Sequence, residues 1–225
     1  SLASCEKSFL ELNPPTSLTP EYALATEADL QVALRGAYAG LKSTSLYGRS
    51  LPVLGDIMAD NTYQSVSNTN RYTAFNAYNY TVTDGDVSGL WSASYSVILR
   101  ANNIINSKIP DNANVLQYKG EAYAIRALAY FNLVRYFATP YTQDPSALGV
   151  PVVTVYNPDL KPGRAKVSEV YDQINRDLVQ ATTLMTKFTN SSQFSKYAAR
   201  ALQAKVLLTM GDMANAKTAA LDVIA

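Results

Sequence analysis

The sequence predicts an all-α fold built from stacked helical hairpins. Apolar residues recur at intervals of three and four rather than two, which is the period of helices buried on one face. Hydrophobic residues make up 48% of the chain, which is ample for a core. Small residues around a Gly-Asp turn at 211–212 favour close pairing of the last two helices. These features predict a tetratricopeptide-like superhelix of helix pairs with long irregular loops.

Three helices are predicted in the first 138 residues. The first begins at Thr26, a residue type that favours the N-cap, and carries an apolar stripe over four turns. The second follows the sequence DGD at 84–86 and ends before Pro110, because proline interrupts helical hydrogen bonding. The third runs from about 114 to 138. All three are long enough to form a stack.

Three more helices are predicted towards the end of the chain. One is capped by Ser168, and another spans 195–210. The last one follows the turn at 211–212 and continues to the end of the sequence. The small residues and the turn match part of a tetratricopeptide repeat, although Gln203 stands where that pattern has leucine. The last pair is therefore interpreted as a degenerate repeat.

Two long segments, 46–87 and 139–167, are predicted to be non-helical. Loops of this length inside a compact domain are usually functional or disordered. The first has little charge, which argues against disorder by self-repulsion. It is rich in tyrosine, and its amide side chains are Asn61, Gln64, Asn68, Asn70, Asn76 and Asn79. We therefore expect the first segment to carry function.

The only cysteine, Cys5, and the three residues before it resemble a bacterial lipobox. Leu2-Ala3-Ser4-Cys5 has the form of a signal-peptide end, after which the thiol of Cys5 would take a diacylglycerol. The alternative is a chance cysteine with no role. The prolines, serines and threonines of 6–20 favour an extended tether. Residues 1–25 are thus predicted to be a lipobox and tether, and 26–225 a helical region.

Composition argues against several classes of function. With 19 basic and 18 acidic residues, the chain has no net field that would collect nucleic acid. It has no histidine, the commonest general base and metal ligand, and no glycine-rich phosphate loop. Asp84 and Asp86 could suggest a calcium loop, but the further oxygen ligands are missing, which favours a turn. No cofactor, metal or catalytic residue is predicted.

Several motifs, in order, resemble the N-terminal half of the SusD/RagB family. Trp91 is followed by Arg-Ala-Asn at 100–102, as in a helix of that family. The next helix carries Glu-Ala at 121–122, Arg-Ala at 126–127, Tyr-Phe at 130–131 and Leu-Val at 133–134. As charged residues, Glu121 and Arg126 are expected to lie at helix ends or in surface pairs. The resemblance extends over most of 26–225, and a lipobox at Cys5 is what the family would predict. A C-terminal half is expected to be absent from this sequence.

The resemblance implies a surface-exposed outer-membrane lipoprotein of Bacteroidetes-type bacteria. Such proteins capture nutrients, usually oligosaccharides, and deliver them to a SusC-like TonB-dependent transporter without catalysis. The only membrane attachment implied is the lipid anchor. The alternatives are a helical-repeat scaffold that binds a peptide or protein, and, as a distant third, a glycoside hydrolase, which would need paired carboxylates such as Asp60 with Asp84 or Asp86.

The first loop suits sugar binding by its side-chain chemistry. Sugar rings present apolar C–H faces and hydroxyls, so a site needs aromatic platforms beside planar hydrogen-bonding groups. The alternative for each tyrosine is that it packs the loop onto the helices. The predicted ligand-binding residues are Asp60, Asn61, Tyr63, Arg71 and Tyr72, with Tyr78 and Tyr80 behind them.

Overall fold

The computed structural model describes residues 24–157 and 159–224, and these residues form helices and connecting segments without a β-strand. An isolated bridge joins Leu148 and Lys166. The helices are α1 (Glu27–Leu41), α2 (Ser50–Met58), α3 (Thr73–Asn76), α4 (Gly85–Ile105), α5 (Ala113–Phe137), α6 (Val167–Leu184), α7 (Lys196–Met210) and α8 (Met213–Ile224). The all-α prediction is confirmed. Cys5 and most of the predicted tether lie outside the described residues.

Side-chain caps begin the first long helices where the sequence predicts them. At α1, Thr26 Oγ1 accepts a hydrogen bond from the backbone N–H of Asp29 at 3.2 Å. The carboxylate of Asp29 accepts the N–H of Thr26 at 2.9 Å in return, which completes a capping box. At α4, the carboxylate of Asp84 accepts the N–H of Asp86 at 2.9 Å. The predicted turn at 84–86 is therefore the start of a helix.

Two details of the predicted helix pattern are wrong. The segment 46–87 is not wholly non-helical, since it contains α2 and the single turn α3. Pro52 and Gly55 obscure α2 in the sequence, but Pro52 lies in its first turn, where the backbone N–H has no intrahelical partner to lose. Helix α6 begins at Val167, so Ser168 lies inside the helix rather than capping it.

Consecutive helices pack as hairpins around α5, which lies at the centre of the fold. Helix α5 contacts α4 and α6, and α1 packs against both α4 and α5. The series continues through α6 against α7 and α7 against α8. Gly211 joins the last pair with φ of 83°, a left-handed conformation that glycine adopts without a Cβ clash. This arrangement is the predicted stack of tetratricopeptide-like helix pairs.

Side chains of α4 and α5 hold the second long connection, which lies between α5 and α6. The hydroxyl of Tyr130 donates to the carbonyl of Val153 at 2.8 Å and accepts the N–H of the same residue at 2.6 Å. Tyr95 donates to the carbonyl of Pro151 at 2.8 Å, and Asn102 donates to the carbonyl of Val153 at 3.0 Å. Burial raises the pKa of Tyr130 to about 12, so its hydroxyl keeps its proton at neutral pH.

The middle of α5 carries two charged side chains that the sequence pattern places at helix ends or in surface pairs. That expectation is wrong, because Glu121 is 1% exposed and Arg126 is 3% exposed. Arg126 donates two hydrogen bonds to the carboxylate of Asp177 on α6, at 2.8 and 2.7 Å, and a third to Asn102 at 2.8 Å. Burial opposes the charge of Arg126, but the hydrogen bonds that it donates to Asp177 and the negative charge of Asp177 outweigh burial and raise the pKa of the guanidinium.

Candidate functional site

The segment between α2 and α4 forms a surface layer rather than part of the interior. Of its residues 59–83, only Phe75 is buried. Phe75 anchors an aromatic cluster in which Tyr80 stacks on its ring with centroids 4.8 Å apart. Tyr72 meets the same ring edge-on at 6.4 Å. The cluster fixes the segment onto the helices and leaves its polar side chains facing outward.

The backbone of this segment carries all of the left-handed non-glycine residues found in the described ranges. They are Asp60, Asn70, Tyr72 and Tyr78, with φ values of 56°, 62°, 59° and 52°. Asparagine and aspartate adopt this conformation readily, but bulky side chains rarely do. Such residues concentrate at ligand sites and switch regions, because surrounding structure must enforce them. The concentration supports a functional role for the segment.

A cavity of about 520 Å³ lies between this segment and the start of α4; it is called the loop cavity here. Its lining residues are Ser45, Arg49, Asn70, Arg71, Tyr72, Thr73, Ala74, Phe75, Asp84, Gly85 and Asp86. The guanidinium of Arg49 lies 5.9 Å from the centre of the Tyr72 ring and 3.7 Å from a carboxylate oxygen of Asp86. Two cations and two carboxylates thus line one opening, beside an aromatic ring.

Hydrogen bonds within the segment shape the wall that carries Arg71. The side chain of Gln64 donates to the carbonyl of Arg71 at 3.1 Å and to the hydroxyl of Thr73 at 2.9 Å. The amide oxygen of Asn68 accepts the N–H of Arg71 at 2.8 Å. These bonds use only the backbone of Arg71. Its guanidinium makes no hydrogen bond or ion pair with the described residues, so its donors are available.

The predicted ligand-binding residues divide into four groups in the structure. Arg71 and Tyr72 line the loop cavity. Tyr78 instead donates to the carbonyl of Met58 at 2.8 Å and to Asp60 at 3.3 Å, which joins two predicted residues at the end of α2. Tyr80 stacks on Phe75, as described above. Asn61 and Tyr63 are exposed outside the cavity, and Tyr63 is 88% exposed.

Sequence reasoning missed Arg49 and assigned Asp86 only a turn. Arg49 comes directly before α2, which the sequence does not reveal, and it lines the cavity together with Arg71. The hydroxyl of Ser50 donates to Asp86 at 2.7 Å and orients that carboxylate. The only feature of the sequence that points to this part of the cavity is the pair of aspartates around Gly85, and that pattern is typical of a helix start rather than of a binding site.

The chemistry of the loop cavity is that of reversible polar binding. Arginine donors and carboxylate acceptors beside an aromatic ring can hold hydroxyl-bearing ligands.

Within the described ranges, no cluster of three or more histidine, cysteine, aspartate or glutamate side chains could hold a metal ion. No described helix is both long and apolar enough to cross a bilayer.

Comparison with known proteins places the chain in a family. Residues 8–208 match the SusD-like family model, whose description is starch-binding associating with outer membrane. The SusD-like protein P2 of Formosa agariphila is 35% identical over 233 residues, covering 96% of this chain and 43% of that protein. The SusD-like protein P38 of the same organism is 31% identical over 229 residues, covering 100% and 43%.

A solved structure agrees with these sequence matches. The crystal structure of a SusD superfamily protein from Bacteroides thetaiotaomicron is 31% identical and superposes with a TM-score of 0.81, covering 89% of this chain and 46% of that chain. The chain therefore spans less than half the length of these relatives. The matches confirm the resemblance carried by the sequence motifs: the chain belongs to the SusD-like family.

Proposed function

We propose that this chain is part of a surface protein that binds oligosaccharides without catalysis and delivers them to a SusC-like TonB-dependent transporter. The family match over residues 8–208 is the observation that carries this proposal. Localisation at the outer membrane, through a lipid on Cys5, is part of it. Oligosaccharide binding suits the loop cavity, where arginine, carboxylate and aromatic groups meet.

The loop segment supplies the contacts in this proposal. Arg71 contributes charged donors that no described residue occupies, and Tyr63 contributes an exposed ring on which a sugar face can stack. Tyr72 and Phe75 support the wall. A hydrogen bond to a charged group contributes roughly 1.5–3 kcal/mol, which corresponds to about 10- to 100-fold in affinity.

The test is calorimetry of the intact protein against a panel of neutral oligosaccharides. For a ligand that binds, Arg71→Ala should raise the dissociation constant about tenfold or more, and Tyr63→Ala should raise it by a smaller factor. Lys205→Ala is the matched control, because Lys205 is an exposed cation on α7 away from the loop cavity. Binding of a peptide digest but of no oligosaccharide would refute the proposal.

Two further measurements address the remaining parts of the proposal. Incubation of the pure protein with bound oligosaccharides should release no new reducing ends, and hydrolysis would favour the glycosidase alternative instead. In cells, Cys5→Ala should move the protein from the membrane fraction to the soluble fraction. Unchanged membrane attachment of that variant would exclude a lipid anchor at Cys5.

A further inference from the structure

A second cavity, of about 710 Å³, lies between α1, α5 and the connection from α6 to α7; it is called the basic cleft here. The residues that line it are Gln31, Leu34, Arg35, Tyr38, Ala39, Lys42, Asn114, Gln117, Tyr118, Glu121, Lys187, Thr189, Asn190, Ser192 and Gln193. None of them lines the loop cavity. The volume falls within the roughly 300–1,000 Å³ typical of small-molecule sites.

The basic cleft exists because two neighbouring helices turn polar stripes towards the same space. On α1, Gln31, Arg35, Tyr38 and Lys42 follow each other at intervals of four, three and four, which places them on one face. The apolar face of the same helix, with Leu34 and Ala37, is buried against the core. Polar residues of α5 at positions 114, 117, 118 and 121 form the opposite wall.

The acceptors at the floor of the basic cleft are already satisfied by internal donors. Glu121 is 1% exposed, and one carboxylate oxygen accepts the hydroxyl of Tyr38 at 2.6 Å. Its other oxygen accepts the side-chain amide of Gln117 at 3.0 Å. The amide oxygen of Gln117 in turn accepts the N–H groups of Thr186 and Lys187, both at 3.1 Å. This carboxylate therefore supports the walls and offers little to a ligand.

The donors at the rim have no such partners. Arg35 and Lys42 are exposed, and neither makes a side-chain hydrogen bond or an ion pair with residues 24–157 or 159–224. Lys187 is also exposed, and its ammonium donates only to the neutral amide of Asn114 at 2.6 Å. Three cations therefore line a cleft whose one lining carboxylate is buried and hydrogen-bonded. The carboxylate of Glu27, beside the cleft, is already held by the amides of Asn112 and Asn114 at 2.9 and 2.7 Å. An anionic ligand is the complement of this arrangement.

From this geometry we infer that the basic cleft is a second ligand site, separate from the loop cavity, for the carboxylate or sulfate groups of acidic oligosaccharides. Arg35 and Lys42 bind the anion, and Lys187 adds charge from the connection between α6 and α7. Tyr118 and the amides of Gln31 and Asn190 line the space for sugar hydroxyls. That the anion is carried by an oligosaccharide rests on the proposed function, whereas the preference for an anion rests on the cleft itself.

The first test compares an acidic oligosaccharide with its neutral ester and with a free anion. Calorimetry of the intact protein with oligogalacturonate, with its neutral methyl ester and with inorganic sulfate separates the acid from the sugar skeleton and from a free anion. We expect the acid to bind about tenfold or more tightly than the ester, and its binding to weaken as salt is raised. A carrageenan oligosaccharide tests whether sulfate serves in place of carboxylate. Equal binding of acid and ester would overturn the inference, and so would sulfate alone binding as tightly as the acid.

The second test assigns the binding to the basic cleft. The double variant Arg35→Gln with Lys42→Gln should weaken binding of the acid about tenfold and leave neutral oligosaccharides unaffected. The control Lys205→Gln with Lys217→Gln makes the same change in net charge on exposed positions of α7 and α8. An equal loss in the control, or no loss in the rim variant, would overturn the inference.

The experiments can distinguish failure of the basic-cleft inference from failure of the proposed function. Loss of neutral binding in Arg71→Ala tests the loop cavity, and loss of acid binding in the rim variant tests the basic cleft. If neutral oligosaccharides fail to bind while the acid binds through Arg35 and Lys42, the loop-cavity proposal fails and the cleft inference stands. If Arg71→Ala abolishes binding of both ligands, the cleft inference fails.

Discussion

Replacing Arg126 with methionine should destabilise the protein, because the change leaves the carboxylate of Asp177 without its cation in the interior. Asp177 is 1% exposed and accepts two hydrogen bonds from Arg126, at 2.8 and 2.7 Å. After the substitution its remaining side-chain partner is the amide of Gln173, at 2.8 Å. Methionine fills much of the space of arginine, so the missing charge dominates the effect.

The size of the loss follows from the cost of keeping an unpaired carboxylate buried. Removing one partner of a buried ion pair typically costs about 3–5 kcal/mol. Protonation of Asp177 sets an upper limit: at about 1.4 kcal/mol for each pH unit above the usual aspartate pKa, neutralisation costs about 4 kcal/mol at pH 7. We therefore expect a loss of about 3–4 kcal/mol in the free energy of unfolding at that pH.

The pH dependence gives this prediction its signature. In the variant, the folded state binds a proton at Asp177 that the unfolded state has released, so the destabilisation grows as pH rises above the unfolded pKa of about 3.9. Between pH 7 and pH 5 the loss relative to the wild type should shrink by more than about 1 kcal/mol. Urea unfolding of the intact protein, followed by far-UV circular dichroism at both pH values, measures this difference.

A matched substitution and a compensating one complete the experiment. Arg200→Met breaks an exposed pair with Asp222, at 2.6 Å, and should cost less than about 1 kcal/mol. Adding Asp177→Leu to Arg126→Met removes the unpaired charge and should restore most of the stability. A loss below about 1 kcal/mol in Arg126→Met, or a loss independent of pH, would show that Asp177 does not depend on Arg126 for its burial.

Three further changes test other parts of the fold. Tyr130→Phe removes both hydrogen bonds to Val153 and should cost about 1–3 kcal/mol by urea unfolding, with unchanged stability the contrary result. Gly211→Ala places a Cβ at φ of 83° and should cost roughly 1–2 kcal/mol, which a neutral effect would contradict. Hydrogen bonds from two asparagines at the start of α5 lower the pKa of Glu27. Its contribution is present above the usual glutamate pKa and is lost as pH falls through the lowered value, so Glu27→Gln should reduce the melting temperature more at pH 7 than at acidic pH.

The helical architecture was predictable because it depends on local patterns. A three-and-four periodicity identifies a helix with one buried face. Thr26 marks a helix start through its side-chain hydroxyl, and Gly211 marks a helix end through its left-handed backbone. Helix α2 was not predicted because proline and glycine, here Pro52 and Gly55, usually indicate loops, although a proline in the first turn of a helix costs no hydrogen bond. Helix α3 is a single turn of four residues, too short for any period to show.

The interior position of Glu121 and Arg126 could not be predicted from the sequence. Charged residues on a helix normally mark its solvent face, but α5 is surrounded by α1, α4 and α6 and is buried on nearly all sides. Only the tertiary fold supplies Asp177, 51 residues away, as the partner of Arg126. A second hydrogen bond between residues far apart in the chain, from Tyr38 to Glu121, forms the floor of the basic cleft.

The helical fold, the family and the polar, aromatic character of 46–87 can be read from the sequence alone, because each is carried by residues close together in the chain. Which side chains share a cavity depends instead on the tertiary structure. It placed Arg49 beside Tyr72 and Asp86, and brought the polar stripe of α1 opposite that of α5. Contacts between distant residues depend on how helices pack, and packing is a property of the whole core rather than of any local pattern.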